Sequence, residues 1–63
     1  MIISRGEVRG AQRLILRQGR VKFGPAPGPV EAAIRGLGDL DRLERMAERV
    51  LTAAGWDEIV AVP

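Results

Sequence analysis

The pentapeptide Phe23-Gly24-Pro25-Ala26-Pro27 limits the folds open to this 63-residue chain more than any other feature. Proline lacks a backbone N–H and clashes with the turn before it, so no helix runs through Pro25 or Pro27, and Gly24 ahead of them takes the left-handed conformation that closes a helix. The chain therefore divides at a known point. Residues 1–35 carry seven Lys or Arg against two Asp or Glu, and residues 36–63 carry three against six, giving halves of +5 and −3. Such halves attract each other within one chain or between two, and the positive half alone can meet a polyanion.

Hydrophobic periodicity predicts an all-α protein: a small bundle of three amphipathic helices joined by the Phe-Gly-Pro-x-Pro hinge and a Gly-rich turn, with a short C-terminal turn. Glu7 to Phe23 reads as the first helix, although Gly10 and Gly19 each cost about 1 kcal/mol relative to alanine. At 100° per residue Val8, Ala11, Leu14, Ile15 and Val21 share one broad face, and Arg5, Arg9, Arg13, Arg17 and Arg20 gather on another, with Leu16 beside them. A second helix starts with Gly28 as its cap, Pro29 at the first helical position and Glu31 near the positive end of the dipole, and its stripe is Val30, Ala33, Ile34 and Leu37. Gly36 and Gly38 end it. Asp39 caps a third helix whose apolar face is Leu40, Leu43, Met46, Ala47, Val50, Leu51 and Ala54, with Gly55 as the stop. On its charged flanks Asp41 is within reach of Arg45, and Arg45 of Glu48, at helical spacing. Trp56 to Pro63 is compatible with a short turn of helix or with an extended piece. The whole of 1–63 is read as one small helical domain, with residues 1–6 as a flexible lead.

The run Leu14-Ile15-Leu16-Arg17-Gln18, then Arg20, the Phe23–Pro27 turn, and Val30, Ile34, Leu40 and Leu43 at fixed distances beyond it resemble the small helical domain of unknown function DUF4351. The resemblance spans about residues 10–60. Its members often form the C-terminal appendage of bacterial, especially cyanobacterial, proteins with a transposase-like PD-(D/E)XK nuclease domain, and the resemblance implies an all-helical fold with no assigned activity. Where the family usually has leucine this chain has Gly19, which implies the loss of a buried anchor.

Catalysis fits the composition poorly. The chain has no cysteine and no histidine, and its hydroxyls are Ser4 and Thr52, so no activated nucleophile or imidazole metal site is expected. Asp39 and Asp41 are explained by capping and the helix dipole, Asp57 and Glu58 by surface charge or a helix start, and the glycines form no phosphate-binding pattern. The expectation is a protein that is not an enzyme, without cofactor, metal or small-molecule substrate. Met1-Ile2-Ile3 leads into Ser4 and Arg5 rather than a long apolar stretch, so neither a membrane span nor a membrane partner is expected and the default compartment is the cytoplasm.

A chain of this length buries only about 60% of its unfolded surface, so a partner is expected to supplement the core. The preferred expectation is a protein–protein association module, self-associating as a homo-oligomer or docking to an attached or separate protein. Leu14, Ile15, Leu16, Phe23, Leu43, Val50 and Trp56 are the residues assigned to packing or contact. Phe23 is placed to lock the first helix on the third, Trp56 to act as a packed lid or an exposed anchor, and Met46 to fill the core. The alternative is an accessory module for nucleic acid, with Arg9, Arg13, Arg17 and Arg20 on successive phosphates; against it stand solvation of these arginines or their pairing with Asp41, Glu44 and Glu48.

Overall fold

Gly24 adopts φ 88° and donates its N–H to the Arg20 carbonyl at 2.9 Å, closing the first helix with a left-handed cap. In the computed structural model, which describes residues 5–63, the chain is all-helical: α1 (Arg5–Phe23), α2 (Gly28–Arg35), α3 (Leu40–Arg49) and α4 (Trp56–Val60). Most of the flexible lead expected over residues 1–6 lies outside the described residues, and Arg5 and Gly6 belong to α1. Pro27, rather than Gly28, is the cap of α2, one residue earlier than the sequence implies. At α3 the Asp39 carboxylate accepts the Arg42 N–H at 3.3 Å, as its position at the helix start predicts.

α1, α2 and α3 alternate in direction. Gln12, midway along α1, donates to the carbonyls of Arg35 (3.1 Å) and Leu37 (2.6 Å), so α2 returns antiparallel to α1 and its C-terminal end is capped by a side chain from its neighbour. α3 then runs in the sense of α1: the Lys22 ammonium donates to Val50 O at 2.7 Å and Leu51 O at 3.0 Å, satisfying carbonyls at the end of α3 where the dipole favours a cation. α1 packs on α2 and α3, and α4 closes the ring between α2 and α3. Their shared core is Ile15, Ile34, Leu43, Met46, Val50, Ala53, Trp56 and Ile59.

Three sequence expectations change. α3 stops at Arg49 rather than near Gly55, because the Leu51 and Thr52 N–H groups bond back three residues, to Glu48 O and Arg49 O at 3.1 Å each, tightening the chain out of the α-helix, and Trp56 then lies against Gly19 of α1. Leu51 and Ala54 consequently leave the apolar face and are exposed. The expected Asp41–Arg45 and Arg45–Glu48 pairs are not made. Arg45 donates to the Pro63 main-chain oxygen at 3.1 and 2.7 Å, and Arg42 to the carbonyls of Val62 at 3.0 Å and Val60 at 3.4 Å, so α3's arginines hold the C-terminal segment. That segment takes the helical alternative. Arg49 pairs with Glu58 at 2.5 Å, and the second Glu58 oxygen accepts the Ala54 N–H at 3.2 Å.

The buried face of α1 also lies about one residue's rotation, ~100°, from the one assigned by apolar count. It comprises Val8, Ala11, Ile15, Leu16, Gly19 and Phe23. Gly19 is buried because the Trp56 ring lies on it: a Cβ built there would stand 2.1 Å from Cη2 and 2.6 Å from both Cζ2 and Cζ3. The space over Gly19 is thus filled by a tryptophan from α4. Trp56 is 8% exposed, donates its indole N–H to Gly24 O at 3.0 Å, and meets Phe23 edge-on with ring centroids 5.6 Å apart. Phe23 therefore finds its aromatic partner on α4, and the indole hydrogen bond ties the hinge to the core.

Candidate interaction surface

Rotation of α1 redistributes the residues assigned to contact. Ile15, Leu43, Val50 and Trp56 are buried in the protein's own core, and Leu16 and Phe23 are half-buried against it, so these six serve packing in this fold. Leu16, expected beside the arginines and off the main face, covers the core instead. Leu14 remains available at 46% exposure, and it gains two neighbours that the sequence reading had turned inward: Val21 at 86% and Leu51 at 78%. Val21 and Leu14 point away from the core because Gly19, invisible to an apolar count, marks the true inward direction.

Leu14, Val21 and Leu51 are contiguous. With Arg17, Gln18 and Val50 they line a shallow depression of about 550 Å³ between α1 and the end of α3, and Lys22 also lines it as it reaches the α3 carbonyls. Leu14 also borders a second depression, with Ala11, Leu40, Ala47, Glu44 and Glu48 on its walls. On its opposite side lies a third, walled by Arg13, Arg17 and Arg35. The apolar strip is therefore edged by cations on one side and carboxylates on the other.

Apart from Arg35, which Glu31 pairs, neither edge is neutralised among the described residues. Arg9, Arg13, Arg17 and Arg20 are all exposed, and the ion pairs among the described residues are Arg35–Glu31 at 3.1 Å and Arg49–Glu58, each within its own half of the chain. The expected pairing of the arginine stripe with Asp41, Glu44 and Glu48 does not occur: among the described residues neither set makes a hydrogen bond or ion pair through its side chains. The stripe continues toward the hinge, where Arg17 and Arg20 wall a depression with Ala26, Glu31 and Arg35. Placing four cations three or four residues apart on one helix is unfavourable by a few tenths of a kcal/mol per pair unless something of opposite charge lies against them.

Among the described residues no three Asp or Glu side chains converge to hold a metal ion, and Thr52 accepts a hydrogen bond from Arg49 at 2.6 Å. No helix among them is long and apolar enough to cross a membrane. Comparison with known proteins adds no relative: no family model matches the sequence, and no curated protein and no solved structure is significantly similar to it.

Proposed function

We propose that this chain is a non-catalytic association module that docks onto protein through the outer face of α1 and the end of α3. The observation that carries this reading is the contiguous exposure of Leu14, Val21 and Leu51 beside a core of eight buried apolar side chains among the described residues. Isolated exposed leucines are ordinary; three large aliphatic side chains lining one depression form a patch of the kind that contacts seek. Burying the part of these side chains now in water contributes about 3–6 kcal/mol, which falls within or below the range that association entropy consumes. The apolar strip is thus sufficient to place a contact but relies on its charged edges for strength.

A site-specific photocrosslinking residue in place of Val21 tests this in living cells. Val21 is exposed, so the substitution leaves the core unchanged. Protein adducts are expected from position 21 and not from a control at Ala61, exposed just beyond α4. Equal yields from the two positions, or none from either, refute the reading.

A second reading is favoured by the four unpaired guanidinium groups: phosphate-backbone binding by Arg9, Arg13, Arg17 and Arg20. Its mark is an affinity for duplex DNA or RNA that falls steeply with salt and whose salt slope drops by about 2 in the Arg13→Gln/Arg17→Gln variant. An unchanged slope removes it.

A further inference from the structure

Resting on the association reading, we infer that the occupant of the Leu14/Val21/Leu51 strip is a second copy of this chain, related by a two-fold axis parallel to α1. Three features of the surface lead there. The strip has a basic edge, Arg13 and Arg17, and an acidic edge, Glu44 and Glu48, with Leu14 between them. Both edges are unpaired within the protein, although the chain carries the complementary charges for each. Both edges flank Gly10 and Leu14, so they lie at comparable heights along α1.

A two-fold axis along α1 turns the strip onto itself and exchanges left for right. The basic edge of each copy then covers the acidic edge of the other, and leucine and valine meet in the centre. An axis across α1 sets arginine on arginine and glutamate on glutamate. Charge alone therefore selects one isologous arrangement, with the same contacts made twice. The size of the face sets the strength: α1 is about 28 Å long and a pair of packed helices about 20 Å wide, offering roughly 600 Å² in projection. That sits at the low end of specific interfaces, where complexes are weak and reversible. The protein's accessible surface is 4394 Å², so a modest fraction of it is involved.

Sedimentation equilibrium of the full chain from about 1 μM to 1 mM reads the inference, together with two charge-reversed variants. The first is Arg13→Glu/Arg17→Glu and the second Glu44→Arg/Glu48→Arg. All four side chains are exposed and make no hydrogen bond among the described residues, so both variants are expected to keep the wild-type circular dichroism. The wild type is expected to pass from monomer to dimer within the range, with the midpoint rising at higher salt. Each variant alone is expected to dimerise at least tenfold more weakly, since both of its edges carry one sign. An equimolar mixture is expected to recover dimer within about threefold of the wild-type affinity, because each reversed edge meets its complement.

A wild type that is monomeric throughout, variants that dimerise as well as the wild type, or a mixture that stays monomeric overturns the second copy as the occupant. The association reading is judged separately by the Val21 crosslink. Adducts to other proteins with a monomeric wild type reject the dimer and keep the docking face, whereas absence of adducts rejects both.

Discussion

Substituting Gly19 with alanine sets two effects of opposite sign against each other at one backbone position. Alanine in the interior of a helix is favoured over glycine by about 1 kcal/mol. Against that gain, the new Cβ would meet Trp56 Cη2 at 2.1 Å and two further ring atoms at 2.6 Å, where carbon atoms rest at about 3.5–4.0 Å. The indole must retreat by more than 1 Å. It has little freedom to do so, because its N–H is bonded to Gly24 O at 3.0 Å and its ring stands edge-on to Phe23. Overpacking of this kind costs about 1–3 kcal/mol, and loss of the indole hydrogen bond adds about 1. The net expectation for Gly19→Ala is destabilisation by about 1–3 kcal/mol. For a chain of this size total stability is of the order of 3–9 kcal/mol, and each kcal/mol moves Tm by about 4–8 °C. Thermal melts followed by circular dichroism resolve that comfortably. Gly10 is the internal control: it lies on the same helix, is exposed, and a Cβ there meets nothing within 4 Å, so Gly10→Ala is expected to raise Tm. In a Trp56→Phe background, whose shorter ring does not reach the slot, Gly19→Ala is expected to lose its penalty. If Gly19→Ala raises Tm as Gly10→Ala does, or costs the same in the Trp56→Phe background, the ring does not occupy the slot and the reasoning fails.

Three further substitutions probe the links between helices. Gln12→Met keeps the side chain's length but leaves the Arg35 and Leu37 carbonyls without their donor, and is expected to cost about 1 kcal/mol in urea unfolding; no change would mean that water serves those carbonyls equally well. Asp39→Ala removes the N-cap of α3 and is expected to cost about 1 kcal/mol, with Asp39→Asn recovering most of it; equal loss in both would point to charge rather than to the cap. Arg42→Met releases the Val60 and Val62 carbonyls and is expected to speed amide exchange over residues 60–62, with little effect on α1 or α2; unchanged exchange there would show that Val62 is held by packing alone.

The elements that sequence reasoning located best are those dictated by local chemistry. Gly24 and Pro25 end α1 because one takes the left-handed conformation and the other cannot continue a helix, and Asp39 starts α3 because its carboxylate satisfies a free backbone donor; none of this depends on what packs where. The direction in which α1 faces is a different matter. An apolar count gives Leu14 and Val21 to the core and leaves Leu16 outside, since glycine contributes nothing to the count. The pattern Val8, Ala11, Ile15, Gly19, Phe23 has helical spacing too, and it is the one the fold uses. The signal for it was the lone tryptophan: a large ring needs a slot, and the glycine at a helical interval from Ile15 and Phe23 provides one.

Charge was legible in amount and not in arrangement. The opposite signs of the two halves follow from composition, yet the structure leaves Arg13 and Arg17 unpaired and directs Arg42 and Arg45 to main-chain oxygens instead of to neighbouring carboxylates. Helical spacing makes those carboxylate pairs available at a few tenths of a kcal/mol each, too little to compete with carbonyls of the C-terminal segment that packing brings within reach. The sequence by itself determined the number of main helices, the end of α1, the start of α3 and the signs of their charge, because caps, prolines and periodicity act over a few residues. Which face of α1 is buried, which leucines are left in water and where the arginines find acceptors were decided by tertiary structure alone, because the first two depend on Trp56 reaching across to Gly19 from a helix 37 positions further along the chain and the third on the C-terminal segment folding back onto α3.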